Sequence, residues 1–574
     1  MLTMRSDSEL PECETYNEAH SAKILYLMNQ HRKENTKLCD VVLQVNKKKY
    51  PTHRSVLAAC SPYFLAMFNG DMKESAEKTI VLKDVKEDII ELIIDFVYTG
   101  NLNVNIENVE SILEHATLLQ FSEVRLLACN FLEQQLDPEN CVGIRKFVHL
   151  HHCKKFICTV DNFMKKHFLQ VLNSDEFTSI PFSVLKEILL SEKLNVDCEE
   201  RVYNCVLKWI KHDPIKREPK LSELLAATRL SLLEKQFLMD VVDQMPLIKN
   251  DPKCRDLLDE AKNYHLQPEK HAKLRSLRTI PRHSTCGRLY AIGGKKDVST
   301  ILNKVEAYSL FNDKWSEVAN LRKNRQQLSV CTLNKKLYAI AGSDGVNRLD
   351  SVEVYSPTKN KWKECSSLQT CRSGAVGSAL RDAIFVAGGY DGRSCLNSVE
   401  RFDPVVQRWD FVASMNVARS FPTISTLGNC LYTIGGNDGA AFLDTCECFD
   451  PLMNKWRYIA PMKFPRAGLG CAVLNGMLYV AGGFDGVDCL NLVEMYEPRM
   501  NKWTEVSPMN QKRDGLSLIS YGGYIYAIGG IDDSCFLNTA EYYDPTTNVW
   551  TETVPMILPR ASAGSAVLID GVNI

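Results

Sequence analysis

The spacing of apolar and polar residues divides the chain near residue 280. Ahead of that point apolar residues recur every three or four positions, the period of a helix with one buried face. Asn17–Glu34 carries Ile24, Leu27, Met28 and His31 at this spacing and reads as an amphipathic helix. The segment 38–75 predicts a strand, a polar turn, a second short strand and a helix from about Ser55. Another strand is expected at Thr79–Leu82, then helices near Glu87–Thr99, Ile106–Leu119 and Ser122–Gln135. From residue 287 onward, short apolar runs separated by turn residues replace the helical period, the pattern of short strands.

That second region repeats. Trp315, Trp362, Trp409, Trp456, Trp503 and Trp550 stand 47 residues apart. Glu306, Glu353, Glu400, Glu447, Glu494 and Glu541 keep the same step, as do Arg325, Arg372, Arg419, Arg466, Arg513 and Arg560. A double glycine closes an apolar run in five repeats, at Gly294, Gly389, Gly436, Gly483 and Gly530; the second has Ala341-Gly342 instead. Each unit reads as four strands, in the third roughly Gly374–Leu380, Ala383–Ala387, Ser398–Phe402 and Arg408–Val412. Four strands per unit, repeated radially, predict a β-propeller in which each Trp packs between blades. The recurring Glu and Arg are expected to join through charge-assisted hydrogen bonds. The first repeat lacks a full strand ahead of its glycines, and 560–571 (RASAGSAVLIDG) matches the missing one, so the tail should close a ring of six blades.

Composition narrows the chemistry. Of 574 residues, 45% are hydrophobic and 24% charged, as in ordinary globular protein. The net charge of −2 supplies no field for non-specific nucleic-acid binding. The first twenty residues are acidic without an apolar core, so no secretory signal is expected, and no apolar run approaches a membrane span. The 21 cysteines are scattered, with no Cys-x-x-Cys and no zinc-finger spacing, and read as thiols of a reducing compartment. His149-Leu150-His151-His152-Cys153 is placed on a helix, where side chains fan around the axis and cannot converge on a metal. No phosphate-binding loop and no nucleophile elbow occur.

The double glycines, the Phe402-Asp403-Pro404 and Tyr543-Asp544-Pro545 turns and the later Trp resemble the kelch repeat. Tyr308-Ser309-Leu310 lacks the Asp-Pro, and Asp532-Asp533 replaces Asp-Gly, so those turns are expected to be looser. Cys39-Asp40-Val41, His53, Ser61-Pro62-Tyr63-Phe64 and Met67-Phe68 resemble a BTB (POZ) domain. Glu199–Val202, Trp209-Ile210, His212-Asp213, the run 224–233 (LLAATRLSLL) and Glu260–Pro268 resemble the helical BACK domain. The expected organisation is a flexible N-terminus 1–16, an α+β BTB/POZ domain 17–135, an all-α BACK domain 136–268, a basic linker 269–286 and an all-β six-bladed kelch propeller 287–574. The whole chain thus resembles the BTB–BACK–kelch, or kelch-like, family.

The resemblance implies a non-enzymatic substrate adaptor of a cullin-3 RING ubiquitin ligase. The BTB domain would dimerise and bind cullin, and the propeller would capture the target protein. Met72-Lys73-Glu74 fits the family's apolar-x-Glu cullin motif; Met72, Glu74, Phe68 and Tyr63 are the implied cullin contacts, extended by Asp137–Gln170. The helix 17–34 matches the swapped helix of a symmetric homodimer. Kelch-like pockets use the residue after the glycines (Lys295, Ser343, Tyr390, Asn437, Phe484, Ile531) and the residue after each framework Arg (Gln326, Ser373, Ser420, Ala467, Asp514, Ala561). Arg348, Arg393 and Phe442 would complete the rim, with Asp488 and Asp514 opposing Arg348 and Arg393. Tyr390, Phe484 and the arginines are the expected hot spots. No cofactor, metal, nucleic-acid or membrane partner is expected, and the setting is cytoplasmic, with nucleus and cytoskeleton as alternatives. A copper oxidase would need clustered His and Tyr ligands, and after residue 280 the only histidine is His283. The remaining alternative is an actin-binding cytoskeletal cross-linker.

Overall fold

The computed structural model describes residues 18–34, 37–70, 77–267, 271 and 274–569. The chain divides into two compact units, Met1–Ile180 and Pro181–Ile574. The division falls inside the expected 136–268 helical span, whose first helices belong to the first unit and whose later helices belong to the second. The expected flexible segment 1–16 lies outside the described residues.

The first unit is built on a three-stranded sheet. Val41–Val45 and Lys48–Thr52 form an antiparallel hairpin, and Thr79–Val81 pairs in parallel with Val41–Val45. The hairpin turns at Asn46, whose φ of 51° is the left-handed conformation that Asn tolerates better than most side chains. Helix Glu87–Thr99 buries Ile89, Ile90, Ile93, Ile94 and Val97 along one face. It stops at Gly100, whose φ of 72° lets its N–H turn back to the Phe96 carbonyl. Ser61 caps the helix Pro62–Asn69: its hydroxyl accepts the Phe64 N–H at 3.2 Å and donates to the Leu119 carbonyl at 2.7 Å. His53 meets the Tyr98 hydroxyl through both its backbone N–H (2.9 Å) and its Nδ1 (2.8 Å). Helix Glu18–Lys33 packs on Glu87–Thr99, with Arg32 paired to Asp95.

The helices Cys141–Leu150 and Lys154–Lys166 correct one expectation. Only His149 and Leu150 of the His/Cys run are helical; His151 caps the helix, His152 turns at φ 54° and Cys153 opens the next helix. The left-handed residue ends the helix, so the side chains separate along a turn rather than around an axis. No metal-holding cluster of His, Cys, Asp and Glu occurs among the described residues.

In the second unit, helices Phe182–Leu190, Glu199–His212, Leu221–Ala227 and Pro252–Leu266 precede the propeller. The described part of the segment read as a linker is tied down at several points. Arg282, fully buried, pairs with Glu199 at 2.6 Å and donates to the carbonyls of Leu189, Ser191 and Ala227. Arg278 forks onto Glu260, and Arg275 donates to the Gly523 carbonyl at 2.6 Å while stacking over Tyr524.

Six four-stranded antiparallel sheets follow. Gly564–Leu568 pairs with Arg288–Ile292, so the last strand completes the first blade as expected. Each of the six tryptophans donates its indole N–H to a carbonyl of the preceding blade, from Trp362 to Ala319 (2.9 Å) round to Trp315 to Val554 (3.0 Å). Every framework Arg is buried and paired to its Glu, as in Arg372–Glu400 and Arg419–Glu447, both 3.0 Å. The same guanidinium donates to the carbonyl just before the second glycine, for example Arg372 to Gly388 at 2.8 Å. Ala341 adopts φ 58°, matching the first glycine of the other repeats.

Candidate partner-binding faces

In an antiparallel four-stranded blade, the first-to-second and third-to-fourth turns emerge on one face. The loops after the double glycines and those between blades emerge on the other. Both sets of residues expected at the substrate pocket therefore lie on one face. They are also hydrogen-bonded to one another: each residue after a framework Arg forms a two-way backbone bridge with the residue after the glycines of its blade. Gln326–Ser343, Ser373–Tyr390, Ser420–Asn437, Ala467–Phe484, Asp514–Ile531 and Ala561–Lys295 are the six pairs.

Inside these bridges runs a closed cycle. The next residues, Gln327, Gly374, Phe421, Gly468, Gly515 and Ser562, all have φ between 50° and 68°. The N–H of each donates to the carbonyl of its counterpart in the preceding blade at 2.8–3.0 Å, Gln327 to Ser562 included. Glycine suits this conformation; phenylalanine does not, least of all before Pro422. Phe421 is held there nonetheless, its ring against Gly374, where a Cβ would lie 3.0 Å from Phe421 carbon atoms. Phe421 is the site residue that the sequence reading missed. Its signal was available: three of the six repeats carry glycine at this step.

The rim residues differ in what they can offer. Ser343, Ser373 and Ser420 are buried, and their hydroxyls are engaged: Ser343 Oγ accepts from Gly345 N–H and Arg348, while Ser373 and Ser420 donate to the carbonyls of Tyr390 and Asn437. Asn437 accepts the Gly439 N–H at 2.7 Å. These four fix the loops. Tyr390, Phe484 and Phe442 are half-buried, and Phe442 and Phe484 meet edge-on at 5.8 Å. Arg348 lies over the Tyr390 ring at 5.8 Å, and its Nε is buried without a partner among the described residues. Arg393 is exposed at a loop tip. Asp488 and Asp514 do not oppose Arg348 and Arg393 as expected. Asp488 sits 3.9 Å from Lys512, and the charge that acts on Asp514 is Lys295. Burial pushes the Asp514 carboxyl up to about 6, against the Gly515 N–H and Lys295, which favour its anion.

The loop tips are rigid for a local reason. Asp391 accepts the N–H groups of Arg393 (2.7 Å) and Ser394 (2.8 Å), which hold its carboxyl below the usual range. Asp532 does the same with Ser534 and Cys535, so the Asp-Asp turn expected to be loose is as well bonded as the others. At Ser309 the comparable bond among the described residues is a 3.4 Å contact from the Asn312 N–H, weaker than the 2.9 Å that Asp403 receives from Val405.

In the first unit, Met72, Lys73 and Glu74 lie outside the described residues. Tyr63 and Phe68 stand on helix Pro62–Asn69, packed on the buried Phe64 ring at 5.3 and 5.8 Å, with the Arg54 guanidinium over Phe68. Leu65, 45% exposed between them, is a large apolar residue of this helix open to a partner. A cleft of about 440 Å³ between helices Ser122–Gln134 and Lys154–Lys166 is lined by Leu126, Cys129, Cys153 and Phe156. Ile24, Tyr26 and Leu27 leave 44–60% of their surface exposed on the first helix.

Comparison with known families gives three matches in chain order. The BTB/POZ domain model matches residues 28–136, and the model described as "BTB And C-terminal Kelch" matches 141–243. The KLHDC2/KLHL20/DRC7 Kelch-repeats domain matches 282–464, 372–515 and 423–573. BTB and kelch domains are protein–protein interaction modules, for dimerisation and substrate binding.

Proposed function

This chain belongs to the BTB–BACK–kelch (kelch-like) family, and from that membership we propose that it is a substrate adaptor of a cullin-3 RING ubiquitin ligase. The observation that carries this reading is the order of three interaction modules on one chain, ending in a propeller whose one face is preorganised by six backbone bridges. In this reading the exposed Ile24, Tyr26 and Leu27 form a homodimer interface, since apolar surface grouped on one helix gains by burial against a copy. Leu65, with Tyr63 and Phe68 behind it, joins Met72 and Glu74 in holding the cullin, and the cleft beside Phe156 extends that contact. Target protein binds over Tyr390, Phe484, Arg348 and Arg393; two propellers per dimer add avidity for a target with two sites. Ubiquitin transfer is left to recruited partners, and the setting is the cytoplasm.

The test is a pull-down of cullin-3 by wild type and by Met72→Ala/Glu74→Ala, with size-exclusion chromatography showing both to be folded dimers. Binding lost only in the variant supports the adaptor. A folded wild type that binds no cullin sinks it, and co-sedimentation with filamentous actin then becomes the deciding measurement.

A further inference from the structure

The face opposite the double-glycine loops carries a cleft of about 800 Å³ between the sixth and first blades, bordered by Glu192 and Lys193. That volume lies in the range of small-ligand sites. Its wall is aromatic: Tyr308, Tyr526, Tyr542 and Tyr524 form a continuous file, with successive ring centroids 6.2, 5.6 and 5.2 Å apart. Around the wall stand three carboxylates from three separate segments, Glu192, Asp313 and Glu552, against one ammonium, Lys193. Burial lowers the basicity of His283 at the rim, so it adds no positive charge near neutral pH.

The repeat supplies an internal control. Three repeats away, the equivalent cleft between the third and fourth blades is about 440 Å³. There Phe449, Phe385, Arg401 and Phe411 replace Tyr308, Tyr526, Tyr542 and Glu552. At the Tyr542 step the other blades carry Ala307, Val354, Arg401, Cys448 and Met495. The fold thus asks for no tyrosine at the Tyr542 step, whereas the Tyr526 and Tyr308 steps are aromatic in all six blades and belong to the framework, and Glu recurs at the Glu552 step as Glu317, Glu364 and Glu505. The wall already accepts a cation at one end, where the Arg275 guanidinium lies 4.9 Å from the Tyr524 centroid.

We propose that this cleft binds an alkylated ammonium group, held on the half-buried Tyr542 ring, with Glu192, Asp313 and Glu552 supplying the counter-charge. Tyrosine faces attract a cation through the ring quadrupole, most strongly when it is weakly hydrated, which favours a methylated ammonium over a bare one. The group comes either from a free small molecule or from a methylated lysine of another protein.

The experiment uses the full chain and three probes, followed by tyrosine fluorescence and ligand-observed NMR. The probes are choline, its uncharged isostere 3,3-dimethylbutan-1-ol, and a short peptide bearing trimethyl-lysine beside its unmethylated form. Choline and the methylated peptide are expected to bind, with Tyr542→Ala weakening both roughly tenfold and Glu552→Gln several-fold. Arg401→Ala, at the equivalent step, leaves both unchanged. Tighter binding of the methylated peptide identifies a protein source, and tighter binding of choline a free one; both support the site. Isostere binding equal to choline, full binding by a folded Tyr542→Ala, or no binding of either cation overturns it. Cullin pull-down is indifferent to every one of these outcomes, since the cleft is remote in sequence from the proposed cullin contacts.

Discussion

At the residue scale, two positions carry strain that a single substitution should release. Ala341 occupies a left-handed slot that is glycine in five repeats, a conformation costing an L-residue about 1 kcal/mol. Ala341→Gly is therefore expected to stabilise the propeller by about 1 kcal/mol, read as a higher unfolding midpoint in denaturant. Asp514 is strained electrostatically. Its carboxyl titrates near 6 in the fold because burial disfavours the anion, against an ordinary Asp value near 4. Between about pH 4 and 6 the unfolded chain has released a proton that the folded one retains, so this group's contribution to stability falls as pH rises through that window. Asp514→Asn should leave stability unchanged at about pH 4 and raise it by about 2 kcal/mol near pH 8, allowing for the partly exposed carboxyl. Thermal unfolding at the two pH values checks both the sign and the window.

At the element scale, each blade is pinned by one buried ion pair joining its entry loop to its third strand. Glu400 accepts from Arg372 and from the N–H groups of Gln369 and Thr370, with no water-facing alternative for the guanidinium. Glu400→Gln leaves a buried cation without its counter-charge and should cost about 3–5 kcal/mol, measured by chemical denaturation of the variant. These pairs were legible in the sequence because a 47-residue register exposes any residue the framework needs six times over. The blades, the closing strand and the BTB hairpin were legible for the same reason or from alternation alone. The segment 274–286 was not. Its arginines read as a solvated linker because composition shows only their charge, whereas their partners Glu199, Glu260 and the Gly523 carbonyl are remote in sequence. The candidate residues were legible as members of one face of the propeller, but the part each plays there was not. Nothing in the spacing says that Ser343, Ser373 and Ser420 turn inward to hold their loops, or that Arg348 lies on Tyr390.

At the scale of the whole molecule, the propeller depends on its last strand. Gly564–Leu568 covers the edge of Arg288–Ile292, Arg560 supplies the first blade's pair with Glu306, and Ser562 completes the inner cycle of amides. A chain ending at Pro559 loses all three together. It should unfold its propeller at a markedly lower temperature and self-associate through the uncovered edge, while the first unit keeps its own transition. Scanning calorimetry with light scattering separates these outcomes.

The same closure sets a timetable for synthesis. The strand Arg288–Ile292 leaves the ribosome long before its partner Gly564–Leu568 exists. At ordinary elongation rates the wait is on the order of tens of seconds. Throughout it the first sheet stays unfinished while the other five blades are added one after another, the last of them ending at Thr553. That one edge is where protection against mispairing is needed, and the need lapses when Gly564–Leu568 pairs with it.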